Sequence, residues 1–68
     1  MGQLSEGVSL GHGIAMAQTD KAVLIDIEDH GETWIPQSQI HDDSEVWKSG
    51  QDGEVVVTLW FAEKRGWS

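Results

Sequence analysis

Two β-branched runs restrict this chain more than any other feature: Lys21-Ala22-Val23-Leu24-Ile25-Asp26-Ile27 and Glu54-Val55-Val56-Val57-Thr58-Leu59-Trp60. Val23, Ile25 and Ile27 recur at period two, the spacing that lines one face of a strand. Asp29-His30-Gly31 supplies a turn, so Glu32-Thr33-Trp34-Ile35 is predicted to return as the second strand of a hairpin. Pro36 lacks a backbone donor, which puts that strand at an edge or ends it. The second run is apolar on both faces, with Val55, Val57 and Leu59 on one and Val56 and Trp60 on the other. That pattern suits a central strand or a closed barrel.

The punctuation agrees with a sheet. Ser49-Gly50-Gln51-Asp52-Gly53 is a strong turn signal, His41-Asp42-Asp43-Ser44 is a polar loop, and Glu45-Val46-Trp47 is long enough for a brief pairing. Phe61-Ala62-Glu63-Lys64-Arg65 reads as one or two helical turns. Lys64 and Arg65 sit at the end the dipole favours, Gly66 serves as the C-terminal stop, and Trp67 folds back on the last turn. The expected fold is mainly β: a small SH3-like or OB-like barrel of three to five short strands with a short C-terminal helical turn. A two-layer sheet with one packed helix is the alternative.

Residues 1–19 differ in composition from the rest, with four of the eight glycines and a single charged side chain. They read as a glycine-rich, flexible N-terminal arm with room for a short strand or a turn of helix, and residues 20–68 as the barrel domain. A domain of this length buries only about 60% of the surface its unfolded chain exposes, so its stability is marginal. Cysteine is absent, so disulfides and thiolate zinc sites are not sources of stability.

Charge sets the partner class. Twelve acidic against four basic residues give a net charge of −8, which opposes binding to a polyphosphate. The same surface favours a basic protein partner, through complementary potentials and fast association. The carboxylates lie mostly in or beside turns, and Asp29, Glu32, Asp42, Asp43 and Glu45 are the candidate partner-binding acids. No nucleophile elbow, phosphate loop or calcium-loop spacing is present, so no catalytic residue is assigned and the chain is read as non-enzymatic. His12, His30 and His41 are spaced unlike any compact ligand pattern, and no metal or other cofactor is assigned. No apolar stretch approaches a membrane span, and no signal-peptide pattern opens the chain, so a cytoplasmic protein without membrane attachment is expected.

Four tryptophans in 68 residues are dense. Trp34 and Trp60 fall in strand positions and are expected in the core, where large aromatic burial counts most. Trp47 and Trp67 lie near loop or chain ends and are the expected surface anchors. An exposed tryptophan also suits base stacking, so a direct single-stranded nucleic-acid binder is the alternative function, with a small metal-binding protein as the third. The edge at Pro36, or the arm, is a candidate dimer contact.

The order of residues carries a resemblance. An aliphatic strand leads into Trp34-Ile35-Pro36-Gln37-Ser38-Gln39-Ile40, and the chain ends Trp60-Phe61-Ala62-Glu63-Lys64-Arg65-Gly66. Over residues 21–67 this resembles a group of short, mostly uncharacterised proteins of phages and prophage-like elements. They share a W-I-P-x-S-Q-I segment and a terminal W-x-A-E-K-x-G. The resemblance implies an accessory role around phage replication, recombination or host-defence evasion, of which an anti-CRISPR inhibitor is one form, and places the protein in the host cell. Physically the motif reads as structural. Trp34 and Ile35 take opposite faces of an edge strand, and Pro36 guards that edge. Ser38 and Gln39 satisfy backbone where the strand bends, while Trp60 and Gly66 bound a helical plug.

Overall fold

The computed structural model describes residues 6–67. Four antiparallel strands form one sheet in the order β3-β2-β1-β4. They are β1 (Gly7–Gln18), β2 (Ala22–Ile27), β3 (Gly31–Pro36) and β4 (Asp52–Thr58), followed by one helix, α1 (Leu59–Arg65). The chain is mainly β with a short C-terminal helix, as its alternating runs require.

The expected hairpin forms β2 and β3. Val23 pairs with Ile35, Ile25 with Thr33 and Ile27 with Gly31. Period-two alternation sends Val23, Ile25, Ile27, Thr33 and Ile35 inward, and all five are buried. The fully buried core is aliphatic: Val23, Ile25, Ile27, Ile35, Val46, Val55 and Val57. Phe61 and Ala62 of α1 complete it.

The N-terminal arm is a correction. Gly7–Gln18 is a twelve-residue strand at the centre of the sheet, paired to β2 on one side and β4 on the other. Only residues 1–5 of the expected arm lie outside the described residues. The composition change near residue 20 is the β1–β2 turn rather than a linker. The glycines are there for fit. Gly11, at φ 87°, lies where the β1–β4 register slips between Ser9 and His12, a bulge that bends the strand. Gly13 brings its backbone against the side chains of Val55 and Ile25; a Cβ there would lie 2.7 and 2.8 Å from their Cγ2 atoms.

After β3 a 3-10 turn, Gln37–Gln39, carries the chain from the β3 side of the sheet to the far edge of β4. There Ile40 bridges Val57, the His41 amide donates to the Val56 carbonyl at 2.9 Å, and the Glu45 amide donates to the Glu54 carbonyl at 2.9 Å. Residues 40–46 therefore cover the outer edge of β4, which explains why Val55, Val56 and Val57 are all buried. The pairing is irregular, and the buried Ser44 hydroxyl fills the gap. It accepts from the Val56 amide at 3.1 Å and the Val46 amide at 3.3 Å, and donates to the Val46 carbonyl at 2.9 Å.

Trp34 and Trp60 are the second correction, since neither is in the core. Ile35 and Thr33 take the inward positions of β3, so Trp34 points outward and is 49% exposed. The strand pattern of β4 stops at Thr58, whose hydroxyl caps α1 by accepting from the Phe61 amide at 3.2 Å. Helical spacing then buries Phe61 and Ala62 and leaves Trp60 58% exposed.

Candidate functional site

The outer face of the sheet holds the side chains that the core leaves over, and they fall into cross-strand rows. In one row Trp34 pairs with Leu24, and Leu24 with Ala17. Met16 lies at the register slip beside Ala17 and is 52% exposed. In the next row Glu32 pairs with Asp26, Asp26 with Ile14 and Ile14 with Asp52, one residue from each strand. All four side chains of that row are exposed. Beyond it Glu28 lies beside His12, which pairs with Glu54. A depression of about 200 Å³ between these rows is lined by His12, Ile14, Asp26 and Glu28.

The electrostatics of this face are one-sided. Among the described residues no lysine or arginine lies in ion-pair reach of a carboxylate; His12 Nε2 stands 3.4 Å from Asp52 Oδ2 and His41 Nδ1 3.6 Å from Asp43 Oδ2, contacts that are ion pairs only when the imidazole is protonated. The Glu54 carboxylate accepts from the Ser9 hydroxyl at 2.6 Å. A half-exposed tryptophan, isoleucine and methionine thus border carboxylates that no lysine or arginine among the described residues neutralises. Such an amphipathic surface fits a partner with apolar contacts and positive charge.

A second exposed feature surrounds Trp47. The fully buried Val46 anchors the loop from within. Gln51 fixes it further, its side-chain oxygen accepting from the Trp47 and Lys48 amides at 2.8 and 3.0 Å. Trp47 is 52% exposed and with Gln37, Ile40, His41 and Asp42 lines a hollow of about 290 Å³. The Lys48 ammonium stands 5.2 Å from its ring.

The candidate partner-binding residues do not share one surface. Trp47 and Asp42 share the hollow, whereas Glu32 lies on the outer face and Asp29 in the β2–β3 turn. Asp43 turns back to His41, its amide donating to Nδ1 at 3.0 Å. Glu45 is used within the fold: its Oε1 accepts from the Glu54 amide at 2.8 Å, standing in for a strand partner. Trp67 is only partly exposed, stacked on His30 at 4.4 Å and edge-on to Phe61 at 6.0 Å.

The motif residues also have definite places. Pro36 closes the β3 edge opposite Ala22. Gln39 accepts from the Thr58 hydroxyl at 2.5 Å, steadying the helix cap, and Ser38 is exposed. It is Gln37, rather than Ser38 or Gln39, whose side chain serves a backbone group, donating to the Thr19 carbonyl at 3.0 Å. Gly66 takes the left-handed conformation at φ 76°, and the Trp67 amide reaches back to the Ala62 carbonyl at 2.8 Å, a Schellman stop.

Sequence reasoning missed Asp26, Ile14, Leu24 and Met16 as a surface. The signal was available for β2: if Val23, Ile25 and Ile27 face inward, Leu24 and Asp26 face outward. Among the described residues no three histidine or acidic side chains gather at one point, and no helix is long and apolar enough to cross a membrane. In comparisons with known proteins, no family model, no curated protein and no solved structure matches this chain.

Proposed function

We propose that this chain is a non-enzymatic interaction protein that binds a basic protein partner through the outer face of its sheet. The observation that carries this reading is the row Glu32–Asp26–Ile14–Asp52 beside Trp34–Leu24, an acidic stripe flanked by exposed apolar side chains. Carboxylates that meet no lysine or arginine among the described residues keep their field for an incoming partner, and the apolar row supplies the contact area that charge alone does not. The resemblance to phage-encoded proteins narrows the partner to a component of a nucleic-acid machine, whose basic groove such a surface would occupy and block. The test is capture from a bacterial lysate by the wild-type chain and by Asp26→Lys, followed by salt titration of any complex. A partner retained by the wild type, lost with Asp26→Lys and released between about 50 and 500 mM salt supports the reading. A complex indifferent to both removes it.

A second reading follows from a separate observation. Trp47 and Trp60 are exposed, and each has a lysine over its ring, Lys48 at 5.2 Å and Lys64 at 5.4 Å. A stacking surface beside a cation is what single-stranded bases need. Tryptophan quenching by an oligonucleotide at low salt tests it, and an unchanged spectrum at micromolar strand excludes it.

A further inference from the structure

The two edges of the sheet are treated differently by the chain. The outer edge of β4 is covered by residues 40–46, but among the described residues nothing pairs along the outer edge of β3. The register tells which groups face that edge. The Gln37 amide donates to the Lys21 carbonyl at 2.7 Å, so in this antiparallel ladder Val23/Ile35, Ile25/Thr33 and Ile27/Gly31 are the hydrogen-bonded pairs. Leu24/Trp34 and Asp26/Glu32 are then the non-hydrogen-bonded pairs. The backbone N–H and C=O groups of Glu32 and Trp34, and the Pro36 carbonyl, therefore point away from the sheet.

Resting on the interaction reading above, we propose that the β3 edge captures an extended, basic segment of the partner as an added strand. Two donors and three acceptors in five residues are enough to hold a short strand, the mode of peptide recognition in which main-chain bonds give affinity and alternate side chains give specificity. The alternation sets the pattern required. Glu32 and Trp34 face outward, with Asp26 behind Glu32 and Leu24 behind Trp34. The added strand must therefore carry a lysine or arginine beside Glu32 and, two residues away, an aliphatic side chain beside Trp34. Pro36, with no N–H, marks where pairing ends. Charge selects against a second copy as the occupant: each chain carries −8, and the carboxylates beside the edge would meet another acidic chain.

The test uses the full chain, labelled with 15N, and a blocked peptide of about eight residues in which lysine and valine take turns at every second position with threonine between them, so that both lie on one face of the added strand. The control peptide has glutamate in place of lysine. The expected result is slowing of hydrogen exchange by at least about tenfold at the Glu32 and Trp34 amides, with Thr33 and Ile35, already bonded to β2, little changed. The glutamate peptide should leave all four amides as they were. Glu32→Lys should weaken the lysine peptide by about tenfold or more while retaining the folded spectrum. Trp34→Pro, which deletes one edge donor without changing charge, should weaken it too. Binding that perturbs Trp47 or Trp60 and leaves the edge amides exchanging freely would overturn the added strand while leaving the interaction reading intact. Absence of peptide binding would also overturn it, since the lysate capture judges the broader reading separately. Edge protection that grows with protein concentration and no peptide would make the occupant a second copy.

Discussion

Asp26 and Glu32 face each other across the β2–β3 ladder as a non-hydrogen-bonded pair, the closer of the two antiparallel spacings, with both side chains in solvent. Like charges in that relation are destabilising, and opposite charges contribute roughly 0.2–1 kcal/mol. A single reversal, Glu32→Lys, is therefore expected to raise the melting temperature by a few degrees at low salt, with the gain shrinking as salt is added. The same variant should lose affinity for a basic partner. Paired melts and binding titrations on one preparation check both. A variant that is less stable at low salt would show that the pair is not a site where stability is given up for binding.

The inward and outward sides of the sheet should respond very differently to truncation. Ile25 is fully buried and Ile14 is 46% exposed, although both are isoleucines on neighbouring central strands. Ile25→Ala is expected to cost about 2–5 kcal/mol, enough to unfold much of a domain this small. Ile14→Ala should stay within about 0.5 kcal/mol of wild type while weakening partner binding. Urea unfolding monitored by circular dichroism separates the two.

The same contrast explains what the sequence made legible. Val23, Ile25 and Ile27 alternate strictly, so the strand, its inward face and the hairpin to Ile35 could be read directly. Helix α1 was legible for the same kind of reason, with Gly66 at its end and Lys64 and Arg65 in its last turn. Two things were hidden. β1 carries Gly7, Gly11 and Gly13, whose cost in a helix suggests a loose arm, because propensity counts the missing side chain and not, at Gly13, the Val55 and Ile25 methyl groups that fill its place. Trp34 and Trp60 fall in strand positions, which predicts core burial, but the register of Val23 with Ile35 decides which face of β3 is buried. Hydrophobic bulk is a weaker guide there than alternation, and the candidate face followed from the residues opposite the core.

Ser44 gives a test of how the far edge of the sheet is sealed. Its buried hydroxyl accepts from the Val46 and Val56 amides and donates to the Val46 carbonyl. Ser44→Ala leaves those amides without a partner, at an expected cost of about 1–3 kcal/mol. The loss should be local before it is global: exchange at Val56 and Val46 should accelerate more than at Ile25 or Ile35. Uniform acceleration across the sheet would mean that residues 40–46 and the sheet open as one unit.

The constraint at Gly13 of the central strand differs in kind from the one at Gly11. A Cβ at Gly13 would meet Val55 Cγ2 at 2.7 Å and Ile25 Cγ2 at 2.8 Å, both from fully buried side chains with no room to withdraw. At Gly11 the nearest atom is an Asp29 carboxylate oxygen 4.0 Å away, and only the φ of 87° opposes a side chain. Gly13→Ala is therefore expected to cost about 1–3 kcal/mol through overpacking, and Gly11→Ala about 1–2 kcal/mol through backbone strain alone. A second substitution tells the mechanisms apart. Val55→Ala removes one of the two close contacts that Gly13→Ala meets, so the double variant should be more stable than the sum of its parts, whereas Val55→Ala and Gly11→Ala should combine without that relief. Strict additivity at Gly13 would remove the approach to Val55 as the source of its cost.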